Sequence, residues 1–347
     1  MRTGSPVPNF QPLTRLSLRF FAALLGLGLL SSLVFRAGPG VVWKQAQEVG
    51  WGLVLIIILG GLSQLVRTWA WRQALRCDIK RLSWSRSFGV QLVSDACGQL
   101  GLAGKLLGEG IRVSLLGSAV PLTNGISSCA IDGGMHLLTA AVVAVLGISI
   151  ALLHFPLSGQ WQVYAMLFAA VVIALVVLAA VAVASGWRLI GNVARAIGRL
   201  PQLHNWIIGK QPIIDSAEDD LLTFRREAPT AFWASLILSL LWHALAILEV
   251  YLILRFMSAR IALVGAFALE GLTKLINLVG ALNPGNLGTY EGGNMLFANM
   301  FGVTATAGLT LALCRRARSL FWAAVGAICM IVMKRSNDKG FSHVEQH

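Results

Sequence analysis

The sequence predicts an all-α protein, a polytopic bundle of transmembrane helices with two interrupted, re-entrant segments. Three observations lead there. Of 347 residues 56% are apolar and only 12% charged, with a mean hydropathy of +0.72, about half the charge of an ordinary soluble chain. Seven to nine stretches approach the roughly 20 apolar residues that a helix needs to cross the hydrocarbon. Between them lie two glycine-broken, charge-bearing runs in corresponding places of the two halves. This pattern excludes a cytosolic enzyme, a disordered chain and a disulfide scaffold, and the five scattered cysteines read as small buried hydrophobes.

The elements follow in order. Residues 1–16 form a basic, proline-containing leader, expected on the cytoplasmic side, and residues 17–185 a first membrane half. Its first span, at about residues 18–35, is followed by no convincing cleavage site and is expected to be retained. A second span, at about 50–66, empties into Arg67, Arg72, Arg76, Lys80, Arg81 and Arg86 against a lone Asp78, which predicts a cytoplasmic segment there. Residues 133–187 contain no Asp, Glu, Lys or Arg, enough for two crossings joined by a polar turn near 158–160. Residues 186–229 are a cytoplasmic connecting segment, too short for a catalytic domain. The second half, 230–334, holds apolar stretches at about 230–254, 261–282, 295–314 and 320–333, and residues 335–347 form a polar tail.

The net charge of +13, from 28 basic and 15 acidic side chains, clusters between spans. That placement suits anionic lipid headgroups rather than nucleic acid. The tryptophans, for example Trp43, Trp51, Trp84 and Trp187, stand mostly near span ends as interfacial anchors. His136 and His243 have no second ligand at helical spacing, and neither metal nor cofactor is predicted.

The two broken runs are GLAGKLLGEGIR, residues 101–112, and NPGNLGTYEGG, residues 283–293. Gly104, Gly108 and Glu109 are loosely echoed by Gly285, Gly288 and Glu291, with Pro284 ahead of the second set. Downstream, Gly117 is echoed by Gly302 and Asp132 by Arg316. Interrupted segments at matching points of two repeats point to a midplane site, because unwound backbone survives in a membrane only where it is buried or lines a cavity. The competing reading is close helix packing through glycine and a chance echo. Ionisable groups at bilayer depth add weight to the first. Arg112, Arg315 and Arg316 are candidate headgroup ligands, with Asp132 among them. Glu109 and Glu291 either cap freed backbone N–H groups or bind a headgroup or proton. Glu270 and Lys274, four apart with the acid first, form a candidate intramembrane pair.

Residues 284–326, PGNLGTYEGGNMLFANMFGVTATAGLTLALCRRARSLFWAAVG, resemble the carboxy-terminal signature of the flippase-like membrane domain of lysylphosphatidylglycerol synthases and their stand-alone relatives. The matching positions are Pro284, Gly285, Gly288, Glu291, Gly302 and Arg315 or Arg316. Residues 104–117 are similar to the family's first signature through Gly108, Glu109 and Arg112, without the proline usual before Gly104. The Glu-Gly-Gly and Arg-Arg-Ala-Arg details look closest to the hopanoid-associated branch. The resemblance implies a multi-pass protein of a bacterial inner membrane that moves or exports an amphipathic phospholipid or isoprenoid lipid, with lipid-synthesis or export proteins as partners. No soluble transferase domain is expected, and no GxxxxGK[ST] run points to ATP hydrolysis, so a transporter-like role is favoured over an enzyme. Two alternatives stand beside it. One is a membrane glycosyltransferase using a polyprenyl-phosphate sugar, for which Glu218, Asp219 and Asp220 are the nearest acidic cluster although a solvated charge run explains them better; the other is a scaffold of a lipid-synthesis complex.

Overall fold

The structure is a computed structural model that describes residues 39–75, 82–98, 102–154, 159–197, 211–280 and 286–344, with isolated residues 35, 80, 199 and 209. The expected first span, and with it Pro284 and Gly285, lies outside the described residues. Among the described residues the secondary structure is helical, with no strand. In chain order the helices are α1 (Pro39–Val49), α2 (Gly52–Ala74), α3 (Trp84–Gly98), α4 (Leu102–Leu116), α5 (Leu122–His154), α6 (Gln160–Ser185), α7 (Leu189–Ile197), α8 (Gln211–Glu227), α9 (Pro229–Phe256), α10 (Leu263–Val279), α11 (Thr289–Met300) and α12 (Ala305–Val344).

Four of these are long and apolar enough to cross a membrane: α2, α5 over Leu122–Leu153, α9, and α12 over Ala305–Met333. α6 has 26 residues without a charge, and Val163, Leu167, Val171 and Leu175 on it stay exposed, as lipid-facing side chains would. By contrast α3 and α4 have 15 residues each, α10 has 17 and α11 has 12. At 1.5 Å per residue these arms reach about 18–26 Å, short of a hydrocarbon core of about 30 Å. α3 packs on α4 and α10 on α11, so each pair is a hairpin.

The second hairpin departs from the apolar runs of the sequence. Residues 295–314 do not form one span, because α11 stops at Met300 and Gly302 turns the chain at φ 73° before α12 starts. Gly117 makes the equivalent turn after α4 at φ 58°. A side chain at either place would meet the left-handed penalty of about 1–2 kcal/mol. α2 likewise outruns its apolar stretch, carrying Arg67 and Arg72 inside the helix. Arg72 is buried because its Nη1 donates to the carbonyls of Leu82 (2.9 Å) and Ser83 (3.3 Å) and to Ser87 Oγ (2.5 Å).

The packing is exchanged between halves. α5, which follows the first hairpin, packs on α10 of the second, and α12, which follows the second, packs on α3 of the first, while α2 packs on α9. Matching glycines make these seams. A Cβ on Gly108 would strike the Ser94 carbonyl, and one on Gly293 would press on Ile276, each within its own hairpin. Gly271 of α10 meets Gly147 of α5, and Gly326 of α12 meets the Leu92 backbone of α3.

At the Gly147–Gly271 seam two glycine backbones meet. A Cβ on Gly147 would sit 2.7 Å from Gly271 Cα, a backbone atom that cannot rotate aside. Gly147→Leu is expected to cost about 1–3 kcal/mol through overpacking and to lower the thermal midpoint in detergent. Gly133→Leu, where nothing lies within 4 Å of the added Cβ, is the matched control.

Candidate functional site

Three helices present a small or polar stripe at the i, i+3, i+4, i+7 spacing of one helix face. On α2 it is Gly60, Ser63, Gln64 and Arg67; on α10 it is Glu270, Thr273, Lys274 and Asn277; on α12 it is Arg315, Arg318, Ser319 and Trp322. These stripes converge on a cavity of about 320 Å³, closed by Asp95 of α3, Trp242 and Ala246 of α9, Arg316, Tyr290 and Asn286. Gln64, Trp242 and Ser319 each stand near the midpoint of a helix long and apolar enough to cross a membrane. Gly60 and Gly61 leave a notch in α2 that receives the Arg318 stem and the Trp322 ring, whose Nε1 donates to the Ile57 carbonyl at 2.9 Å.

Behind the wall an ion network ties four helices together. Arg315 donates from Nε to Glu249 Oε2 of α9 (3.2 Å) and from Nη1 to Glu270 Oε2 of α10 (2.8 Å). Lys274 Nζ donates to the other oxygen of Glu270 at 2.6 Å, and Arg318 Nε stands 3.1 Å from Glu249 Oε1. Arg316 Nε donates to Glu291 Oε1 at 2.7 Å, while Glu291 Oε2 accepts the Gly288 N–H at 2.7 Å, closing half a capping box at the start of α11. The three arginines are tolerated inside one apolar helix because buried carboxylates stand opposite them; Glu249 and Glu270 are 1% exposed and Glu291 is fully buried. Asp95, of the first hairpin, accepts from Gln64 Nε2 at 2.6 Å and lies 3.8 Å from Arg67. Arg67 and Lys274 stack over the Trp242 ring at 5.9 and 5.3 Å.

The other predicted residues stand apart. Arg112 is fully buried and lies over the Trp71 ring at 4.8 Å. It donates to Asp132 Oδ2 (3.0 Å) and Gln91 Oε1 (2.5 Å) and lies 3.2 Å from Glu109. None of Arg112, Glu109 and Asp132 lines the cavity; the three join the first hairpin to α2 and α5. The halves thus carry the same junction with its signs reversed, Arg on α4 to Asp on α5, and Glu on α11 to Arg on α12. The first glycine run is not a break: Gly104 and Gly108 both lie within the continuous helix α4, Gly104 buried in its first turn and Gly108 packed against the Ser94 backbone of α3, so these glycines serve close helix packing. In the connecting segment Glu218 accepts the Gly191 N–H at 2.8 Å and Asp219 pairs with Arg188 at 2.7 Å, holding α7 on α8.

Sequence reasoning left out Glu249, Arg67, Gln64 and Trp242 as site residues. The stripe spacing on α2 was a usable signal for Gln64 and Arg67, and a lone carboxylate inside the apolar run of α9 was one for Glu249. Arg67 instead read as the first of a cytoplasmic basic cluster.

The family model described as "Lysylphosphatidylglycerol synthase TM region" matches residues 20–326. No curated protein and no solved structure matches the chain.

Proposed function

The chain belongs to the lysylphosphatidylglycerol synthase TM-region family, a multi-pass, lipid-related membrane family, and from that premise we propose that it is a lipid translocase. In this reading an amphipathic lipid passes its head through the cavity while its tails stay in the bilayer. The observation that carries it is the polar cavity, walled by charged stripes of three helices and touched by both hairpins. A structural ion network alone needs no cavity; this one turns one side of its arginines toward open space. Arg315 and Arg316 hold the wall in shape, and Glu291 orders the glycine turn behind it. We place the protein in a bacterial cytoplasmic membrane, beside lipid-synthesis or export proteins. The acidic residues that an enzyme reading would use for a metal, Glu218 and Asp219, are engaged in holding α7.

Vesicles reconstituted with the protein and a fluorescent phospholipid test this reading. The fraction of label reached by an impermeant quencher is expected to rise well above the half that protein-free vesicles allow. Arg316→Gln, folded to the same thermal midpoint within a few degrees, is expected to lose most of that gain. Wild-type protein that leaves the inner leaflet protected would refute translocation, and release of sugar from a polyprenyl-phosphate donor would favour the transferase.

A further inference from the structure

We infer that the cavity takes a lipid head with a single negative charge, a phosphodiester without a cationic substituent, and that Arg67 and Arg318 are the residues that grip it. This rests on the translocase reading for the lipid and deepens it for the head.

The first argument is charge. Five basic side chains line the cavity, Arg67, Lys274, Arg315, Arg316 and Arg318, against the carboxylates Asp95 and Glu270. Glu249 and Glu291 stand behind the arginines and raise the acids to four, leaving one positive charge around a space between helices long and apolar enough to cross a membrane. An uncompensated cation there is costly, and one negative charge neutralises it. A dianionic monoester would overshoot, and a head with its own ammonium would return the excess.

The second argument is which donors remain. Arg315, Lys274 and Arg316 are engaged by carboxylates at 2.5–3.2 Å. Arg67 differs: among the described residues it makes no hydrogen bond, and its carboxylate partner Asp95 is 3.8 Å away. Among the described residues Arg318 meets Glu249 only through Nε, so its two terminal nitrogens keep their donors there. Both arginines line the cavity from opposite helices, and a guanidinium fork matches two phosphate oxygens.

The third argument excludes a choline-like head. Such a head is held by aromatic faces, but the Trp242 ring already carries Arg67 and Lys274 within 6 Å, two like charges that a third cation would have to approach.

Calorimetric titration of the full chain in nonionic detergent tests this with soluble dihexanoyl lipids. Phosphatidylglycerol is expected to bind at least tenfold tighter than phosphatidylcholine and no more weakly than phosphatidic acid. Inorganic phosphate is expected to bind more weakly than phosphatidylglycerol; equal binding would make this a free-anion site and overturn the lipid assignment. Arg67→Gln and Arg318→Gln should each weaken phosphatidylglycerol by about 10- to 100-fold and narrow its margin over phosphatidylcholine. Equal affinity for the two diesters in wild-type protein would overturn the proposal, and that comparison decides even if a variant does not fold. So would folded variants with unaltered phosphatidylglycerol affinity. The titration measures no movement across a bilayer. Selective binding without translocation would sink the transport reading alone; translocation without selectivity would sink this one alone.

Discussion

Replacing Arg315 by Met is expected to cost about 3–5 kcal/mol and to leave little monodisperse protein in detergent. The guanidinium is the shared cation of two buried carboxylates on different helices, Glu249 on α9 and Glu270 on α10. Without it Glu270 keeps Lys274, but Glu249 keeps only the Arg318 contact at 3.1 Å. A carboxylate left short of a partner in a dry interior meets the desolvation cost without the attraction that offset it. Arg315→Lys should recover part of the loss and not all of it, since a single ammonium cannot reproduce a fork that reaches both acids. Thermal unfolding of the three proteins, followed by size exclusion, checks the order wild type, Lys, Met. A Met variant as stable as wild type would show that the network does not hold the bundle together.

The Arg112 cluster should respond to mutation as strongly, yet independently of the cavity. Arg112→Met strands Asp132, which is 4% exposed and has Arg112 as its cation, so a loss of about 3–5 kcal/mol is expected. The double variant Arg112→Met/Asp132→Leu removes both charges from an apolar setting that includes the Trp71 ring, and should recover most of the stability. The double-mutant cycle therefore yields a coupling energy of at least 1 kcal/mol. Because neither residue lines the cavity, the folded double variant is expected to keep the lipid movement that Arg316→Gln loses. Loss of movement in a stable double variant would bring Arg112 back as a headgroup ligand, its role in the sequence reading.

Much of the architecture was legible beforehand because it follows from local rules. α9, expected at about 230–254, runs from Pro229 to Phe256, and the uncharged region 133–187 divides into the end of α5 and α6 around a turn near residue 159. Hydropathy sees such segments because lipid penalises any exposed backbone or charge along them. It fails where the penalty is removed by a partner distant in sequence. α2 continues past Val66 because Arg67 and Arg72 find Asp95 and the carbonyls after residue 81, and α12 continues through three arginines because α9, α10 and α11 supply acids.

The site divides the same way. Glu270 with Lys274 is a pair within one helix, four residues apart, and its spacing alone was enough to suggest it. Arg315 and Arg316 were visible as charges in an apolar run. Nothing local told Arg315, bound between two acids, from Arg318, with donors to spare, or removed Arg112 to a different cluster.

The sequence by itself determined that the chain is helical and membrane-embedded, since composition and periodicity are properties of short segments. Only the tertiary structure decided which charges neutralise one another and which face open space. That depends on contacts between residues as far apart as Arg315 and Glu249, and an electrostatic balance is set by distance in space rather than by position along the chain.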